Sequence, residues 1–383
     1  MIKEQRLVKL TQKVLSYNSE NPPGNEKRLG EFIAKDMKSL GLDVRVKSFA
    51  KDRPNIIATL KGSWPRKKAA AEAVLITPHY DTVPIGQGWK YDPYGKDIVK
   101  GRIYGRGASD DKCNLAICME VMRSFVEDKA RPRRDIVMAA TADEETGSYC
   151  GIIPLLDQKI LKPKIAVITD SYEFEAVVAQ KGLVHARVQI RGKKAHGAYN
   201  WLGENAIEVA ARVINRLKKH RFKVKKHRFL HPPTLNIGTI RGGDKVNMVA
   251  DLCEFSVDTR YLPGMDGKKV IAALKSIIEK ETKRYKFIID DHQLPYEIDP
   301  KHPMVKTYLQ TARQMKMKAG LVGSEGATVI TFFQKHRIPA FSTGYGTDGT
   351  AHTTDEFAEV AKLTKGARLL EQYLKDYDKG CET

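Results

Sequence analysis

The sequence predicts an α/β protein in which a catalytic domain with a mostly parallel sheet holds an inserted α+β domain of ferredoxin-like order. With 383 residues, of which 42% are hydrophobic, the chain exceeds what a single hydrophobic core normally organises. Its first third alternates helical patterns with short apolar runs, its middle third is rich in strand patterns, and the alternation resumes at about Pro300. We therefore expect residues 1–177 and 294–383 to form one discontinuous domain and residues 178–293 to form the insert.

Short apolar runs in the first third predict buried parallel strands. Helical periodicity covers residues 3–17 and 26–41. The predicted strands are residues 55–60, 73–79, 135–143 and 165–170. Three of these runs end in His79, in the carboxylates 143–145 and in Asp170. Because catalytic side chains collect at the carboxyl ends of parallel strands, these residues are candidates for an active site.

The middle of the chain predicts the order of elements in the insert. Strand patterns begin at about Val178, and helical patterns cover residues 205–219 and 267–282. The order strand, helix, strand, strand, helix, strand is that of a ferredoxin-like unit. Towards the C-terminus the sequence predicts a helix at 307–315, an apolar stretch at 327–333, a short run at 339–344 and a helix at 356–374.

The charge balance favours anionic partners. Lys and Arg exceed Asp and Glu by 66 to 46, a formal net charge of +20. The densest basic segment, residues 216–229, is typical of a solvated helix end and loop. Only Phe222 and Phe229 interleave with its cations, and no nucleic-acid motif is present, so we do not expect nucleic acid as a partner. A polyanion-binding protein remains an alternative, and it predicts strongly salt-dependent binding.

Composition also excludes several classes of protein. No run of about eighteen apolar residues is present, and the N-terminus lacks a signal-peptide core, so we expect a cytoplasmic protein without a membrane partner. The cysteines are odd in number and contain no C-x-x-C pair, so neither a disulfide framework nor a thiolate zinc site is predicted. They are Cys113, Cys118, Cys150, Cys253 and Cys381.

Three short motifs contain side chains with metal-binding chemistry. In HYDTVP, His79 and Asp81 would share a strand face, so that the carboxylate could orient the imidazole while the other ring nitrogen binds a metal. In GRGASDDK, Asp110 precedes a helix that starts near Lys112, and either helix capping or metal bridging would explain it. In ADEETGS, adjacent carboxylates could divide metal binding from proton transfer, or could simply form a charged loop.

Taken together, these motifs and a glycine-rich loop supply two imidazoles and three carboxylates. Mixed nitrogen and oxygen ligation suits zinc, cobalt or manganese, and the absence of thiolates is typical of a site that stays open to substrate. The candidate ligands are His79, Asp110, Glu145, Asp170 and His352.

The ordered segments HYDTVP, GRGASDDK, ADEETGS, KKAHGAYNWLGENA and AHTTDE resemble the dinuclear zinc metallopeptidase and amidohydrolase family. That family includes acetylornithine deacetylase, succinyl-diaminopimelate desuccinylase, aminoacylase and glutamate carboxypeptidase. The resemblance implies hydrolysis of the C–N amide bond of an N-acyl amino acid, with a dipeptidase or carboxypeptidase of short peptides as the alternative. The ligand set is shared, so the sequence does not decide between them.

The resemblance also implies a role for each ligand. Asp110 would bridge two divalent metal ions, of which zinc is expected and cobalt or manganese are alternatives. His79 and Asp170 would complete one site, and Glu145 and His352 the other. Asp170 is shorter than the glutamate of several relatives, which implies a weaker or displaced ion at that position.

Further residues receive roles from the same resemblance. Glu144 would be the general base, Asp81 would orient His79, and a cis peptide would join Asp110 to Asp111. The insert resembles the family's lid and dimerisation domain, which implies a homodimer. There, a histidine matching His196 would polarise the scissile carbonyl, and residues matching Asn247 and Arg260 would hold the substrate carboxylate. Glu325 lies in the segment that matches the family's substrate loop, without indicating which substrate is bound.

Overall fold

The computed structural model describes residues 1–95 and 97–380. Its strands are β1 Asp43–Ser48, β2 Pro54–Leu60, β3 Val74–Thr77, β4 Ile98–Val99, β5 Arg102–Tyr104, β6 Ile136–Ala140, β7 Ile165–Glu173, β8 Ala176–Gln180, β9 Gly182–Arg191, β10 Thr234–Gly242, β11 Leu252–Tyr261, β12 Tyr285–Gln293, β13 Tyr296–Glu297, β14 Leu321–Ser324, β15 Ala340–Gly344 and β16 Phe357–Glu359. Its α-helices are α1 Glu4–Leu15, α2 Lys27–Ser39, α3 Arg66–Ala71, α4 Lys112–Glu127, α5 Ile152–Asp157, α6 Ala206–Lys219, α7 Gly267–Ile278, α8 Pro303–Gln314, α9 Ile330–Lys335 and α10 Val360–Lys379.

The largest sheet is mixed and has the strand order β1-β2-β6-β3-β7-β15-β8-β13. Along this order, the four central strands β6, β3, β7 and β15 pair in parallel, whereas the pairs β1–β2, β2–β6, β15–β8 and β8–β13 are antiparallel, and β14 also pairs with β8. The α/β fold class is confirmed. The sheet is less parallel than predicted because a β1–β2 hairpin and β8 extend its two sides.

The chain folds into two compact units. Unit 1 contains Met1–Val178, Ile298–Val322 and the chain from Thr328 onwards, and unit 2 contains Ala179–Glu297 and Gly323–Ala327. The predicted boundaries differ from these by a few residues. The exception is 323–327, which the sequence placed in the second part of the catalytic domain. Gly323 closely approaches Phe229 and Leu230, so this segment packs with unit 2 instead.

Unit 1 is organised around α4. The residues of α4 are buried on nearly all sides, as expected for a central helix, and α1 and α10 pack against it. The C-terminal helix begins at Val360 rather than at residue 356, because Phe357–Glu359 form β16 and pair with β5. Asp170 lies inside β7 rather than at its end, because that strand continues to Glu173.

Unit 2 has the predicted ferredoxin-like order β9, α6, β10, β11, α7, β12. Its antiparallel sheet has the strand order β10-β11-β9-β12. Along β9 and β11, side chains that point inward alternate with side chains that point outward. The inward side chains, such as Val188 and Phe255, pack with Val213 of α6 and Leu274 of α7.

The described residues bear on two expectations drawn from composition. Within 1–95 and 97–380, no helix has both the length and the apolarity needed to cross a bilayer. The four described cysteines are buried and free, and Cys381 lies outside the described residues.

Candidate metal centre

Adjacent parallel strands bring four of the predicted site residues to one edge of the sheet. His79 follows β3 and forms a bridge with Thr141, which follows β6. The 3-10 turn Glu144–Thr146 begins three residues after Thr141, and Asp170 lies on β7, the other parallel neighbour of β3. Neighbouring strands therefore bring one imidazole and three carboxylates together, His79 and the two glutamates from loops that follow β3 and β6, and Asp170 from within β7.

Asp110 lies between the two predicted imidazole ligands. One of its carboxylate oxygens, Oδ1, is 2.9 Å from His79 Nε2, and the other, Oδ2, is 3.1 Å from His352 Nε2. His352 Nε2 is also 3.2 Å from Glu145 Oε1. A carboxylate with a different imidazole at each oxygen has the arrangement expected of a ligand shared between two ions.

Two groups of three side chains bring their ligand atoms within 4.8 Å of one another. One group is His79, Asp110 and Glu145, and the other is His79, Glu144 and Asp170. The turn at 144–146 therefore directs both of its adjacent glutamates towards the same centre, and a carboxylate next to the ligands is available for proton transfer.

Asp81 holds this turn in place. Its carboxylate oxygens accept hydrogen bonds from the main-chain N–H groups of Glu144 and Glu145, at 3.1 Å each, and from Asn21 Nδ2 at 2.9 Å. His79 Nδ1 lies 3.1 Å from the main-chain carbonyl oxygen of Asp81 and 3.5 Å from its carboxylate. Of the two Asp81 oxygens near His79 Nδ1, the carbonyl oxygen is therefore the closer one, while the Asp81 carboxylate binds the glutamate turn.

Asp111 is not a conventional helix cap. Its side chain accepts hydrogen bonds from the main-chain N–H of His79 and from Asn114 Nδ2, and it makes no side-chain capping bond to α4. The peptide bond between Asp110 and Asp111 is cis, as the family resemblance implied. Asp111 thus connects the start of α4 to the chain that carries His79.

Negative charge is concentrated in the centre. Burial and the charge of Asp110 raise the pKa of Asp170 to about 7, and burial raises the pKa of Glu144 well above its usual value. Burial also opposes ionisation of Asp110, but hydrogen bonds to His352 and His79 outweigh it and lower the pKa of this carboxyl. Hydrogen bonds to Asp110 and Glu145 raise the pKa of His352 to about 10.

This donor set fits a divalent cation. The predicted ligands are imidazole nitrogens and carboxylate oxygens, which zinc, cobalt and manganese accept. The carboxylates of Glu144 and Asp170 receive no hydrogen bond from the described residues. Among the residues that the structure describes, Asp110 and Glu145 form ion pairs only with histidines. Closely spaced carboxylates that lack a lysine or arginine partner are stabilised when a cation binds.

The remaining predicted residues belong to unit 2. His196 and Asn247 are neighbours there, because Gly197 N–H donates to the Asn247 carbonyl at 2.8 Å and His196 bridges to Met248. Arg260 is already engaged, since its Nε and Nη2 donate to the Asp258 carboxylate at 2.7 and 3.1 Å.

The sequence interpretation missed a buried glutamate in the AHTTDE motif. The Glu356 carboxylate accepts main-chain hydrogen bonds from Gly107, Ser109 and Asp110. Its position four residues after His352 in a motif already singled out was the available signal.

The sequence matches the profile of peptidase family M20/M25/M40 over residues 75–376, well over half of the chain. The chain belongs to this family. It is therefore a hydrolytic enzyme of a metallopeptidase and amidohydrolase family, as the resemblance implied.

Individual relatives of this M20 hydrolase have different activities. Acetylornithine deacetylase of Vibrio cholerae serotype O1 is 28% identical over 379 residues, which cover 96% of each chain. Aminopeptidase PepT from Bacillus cereus is 25% identical with a TM-score of 0.83, over 99% of this chain and 100% of that one. The M20 metallo-carboxypeptidase Sso-CP2 from Sulfolobus solfataricus, at 18% identity and a TM-score of 0.81 over 99% and 100% of the chains, shows the shared fold.

Proposed function

We propose that this M20 hydrolase cleaves the C–N amide bond of an N-acyl amino acid at a centre of two divalent ions. The observation that carries the proposal is Asp110, whose two carboxylate oxygens each meet a different imidazole. His79 and Asp170 would hold one ion, Glu145 and His352 the other, and Asp110 both. Ions bound there would supply a more acidic water and a polarised carbonyl.

Glu144 would carry the proton in this reaction. Its carboxylate lies with those of the ligands and accepts no hydrogen bond from the described residues, so it is available to a water molecule. It would take one proton from the attacking water as the C–O bond forms, and deliver that proton to the nitrogen as the C–N bond breaks. The new carboxyl group gives up the second proton of the water to the amine, so the products are a carboxylate and an ammonium group.

Residues of unit 2 would recognise the substrate. We assign polarisation of the carbonyl to His196 and binding of the substrate carboxylate to Asn247 and Arg260. Arg260 has a forked contact with Asp258, so a substrate carboxylate would have to share or replace that ion pair.

The first test is loss of the proposed base. Replacing Glu144 by Gln or Ala should lower kcat by about 10²- to 10⁴-fold, because general acid–base catalysis contributes on that scale. Metal content should remain unchanged. Glu145→Gln is the matched control, since it should reduce metal content instead. A Glu144 variant with wild-type kcat would refute the assignment.

A dipeptidase or carboxypeptidase of short peptides is the second candidate, and the likeness to the aminopeptidase PepT over 99% of this chain favours a peptidase. The two candidates are separated by kcat/KM on N-acetylornithine, N-succinyl-diaminopimelate, other N-acyl amino acids, dipeptides and tripeptides. A preference for peptides with a free amino terminus would replace the deacylase proposal.

The proposed cofactor is two zinc ions, with cobalt or manganese as substitutes. Elemental analysis should give two ions per chain, and chelation should abolish hydrolysis until zinc or cobalt is added back. One ion per chain would contradict the bridging role of Asp110.

We also propose a homodimer, on the resemblance of unit 2 to the family's dimerisation domain. The molecular mass of the protein in solution tests this.

A further inference from the structure

Glu356 is a fully buried carboxylate that binds the loop leading to Asp110. Its Oε1 accepts hydrogen bonds from the main-chain N–H groups of Ser109 at 2.8 Å and Asp110 at 3.0 Å. Its Oε2 accepts from Gly107 N–H at 3.1 Å and from Arg106 Nη1 at 2.7 Å. Four donors therefore converge on one side chain, and one of them is the amide of the proposed bridging ligand itself.

The same glutamate joins two loops that carry ligands. Its main-chain carbonyl accepts a hydrogen bond from Gly105 N–H at 2.9 Å, and the residues after it pair with β5. His352 lies four residues before Glu356 in the chain, and its Nε2 is 3.1 Å from Asp110 Oδ2. Arg106 strengthens the connection, because its Nη1 also donates to the Thr353 carbonyl at 3.1 Å. The position of Asp110 relative to His352 thus depends on contacts made by Glu356.

A carboxylate suits this position better than its amide isostere. Glu356 receives donors at both oxygens, and bonds to an anionic acceptor are shorter and stronger than neutral ones. A glutamine would place an NH₂ group against one pair of these donors and leave buried N–H groups without an acceptor, which is costly.

We propose that Glu356 is a positioning residue that sets Asp110 between the two metal ions. This rests on the proposed two-metal centre. Glu356 itself neither binds metal nor contacts substrate in this scheme. It acts through the main chain of residues 107–110, and its loss moves a shared ligand, so both ions should be bound less tightly.

The experiment measures metal affinity rather than turnover. Apo wild type and apo Glu356→Gln are titrated with zinc against a chromophoric chelator, and their thermal unfolding is recorded in parallel. Replacing a residue that orients metal ligands typically costs about 10- to 100-fold in affinity. We expect a loss of that size for Glu356→Gln.

Asp378→Asn is the matched control. Asp378 on α10 is also a largely buried carboxylate that accepts main-chain hydrogen bonds, from Arg133 and Arg134 at 2.9–3.2 Å, and it contacts none of the proposed ligands. It should lose thermal stability and keep wild-type zinc affinity. If Glu356→Gln fails to fold, Glu356→Asp, which keeps the charge but shortens the reach, should bind zinc less tightly than wild type.

Three outcomes are distinguishable. Weaker zinc binding in the Glu356 variant but not in the Asp378 variant supports the positioning role. Wild-type zinc affinity in folded Glu356→Gln, or an equal loss of affinity in both variants, overturns it. Wild-type protein that binds fewer than two zinc ions refutes the proposed centre itself, independently of Glu356.

Discussion

At the scale of single residues, the carboxylates around the centre have separate tasks. Asp110 faces the imidazoles, Glu144 remains without a donor from the described residues, and Asp81 accepts the amides of the glutamate turn. The role implied for Asp81 was orientation of His79. The observed contacts give it a second task, because both of its oxygens fix the turn that holds the proposed base.

We predict that Asp81→Asn lowers kcat by about tenfold or more while the protein stays folded, since residues of this type affect activity on that scale. The two main-chain N–H groups bond different oxygens of Asp81, and asparagine replaces one of these oxygens with an NH₂ group, so the turn at 144–146 would shift. Steady-state kinetics and elemental analysis check this. Asp135→Asn, which likewise removes a carboxylate acceptor of a main-chain N–H, that of Gly62, is the control and should keep wild-type kcat.

At the scale of elements, the basic segment found in the sequence divides into two faces. Phe222, Val224 and Phe229 pack against hydrophobic clusters of unit 2, whereas Lys223 and Lys225 are exposed. The aromatic rings are therefore used in packing and do not form a platform on which nucleic-acid bases could stack. This weakens the polyanion-binding alternative, which predicts binding that decreases steeply with salt.

We predict that Phe222→Ala destabilises the protein by about 2 kcal/mol, less than the usual 3–5 kcal/mol for a fully buried phenylalanine because the ring is half-buried. Lys223→Ala, on the opposite face, should change stability by less than about 0.5 kcal/mol. Denaturant unfolding of both variants checks this. Equal stabilities would show that the segment is not anchored by its apolar residues.

Segment 323–327 is held in unit 2 by an ion pair and a hydrogen bond of Glu325. The Lys181 side chain is 1% exposed, and its Nζ pairs with Glu325 and donates to the Pro232 carbonyl at 2.8 Å. The main-chain N–H of His231 donates to Glu325 Oε1 at 2.9 Å. Burial opposes ionisation of Glu325, but these partners outweigh it and lower the pKa of its carboxyl below its usual value.

We predict a pH-dependent effect of Glu325→Gln. Because the pKa of Glu325 is lower in the folded protein than in the unfolded chain, its stabilisation is complete above the unfolded pKa and is lost as the pH falls through the folded pKa. The variant should be less stable than wild type by about 1 kcal/mol at pH 7, because solvent screens the ion pair of a partly exposed carboxylate. The difference should shrink as the pH is lowered below about 4.3, the ordinary pKa of a glutamate. A difference that is independent of pH would indicate a packing effect.

At the scale of the whole molecule, all five proposed ligands belong to unit 1, although they come from five separate segments of the chain. Binding of metal therefore favours the folded state of that unit. We predict that zinc at about 100 times its Kd stabilises apo protein by about 2.7 kcal/mol for each ion bound. Thermal unfolding at several zinc concentrations measures this, and His79→Ala, which removes one ligand, should show a smaller shift. A shift of wild-type size in that variant would place the zinc elsewhere.

The sequence predicted much of the fold because its periodicities are local properties. Apolar runs and helical stripes placed most elements within a few residues, including the six elements of the insert. The errors occurred where pairing with distant residues decided the outcome. Phe357–Glu359 joined a strand instead of starting the last helix, and segment 323–327 packed with unit 2.

The sequence alone determined the chemistry of the centre: which imidazoles and carboxylates are present, and in what order. This followed from residue type, because only side chains such as His79, Asp110 and Asp170 offer ligand atoms of the required kind. Tertiary structure decided the contacts, namely which oxygen of Asp110 meets which imidazole, that Asp81 binds a main-chain turn, and that Glu356 binds the loop before Asp110. These depend on distances between residues far apart in the chain, which strand order and loop packing set and which local periodicity does not contain.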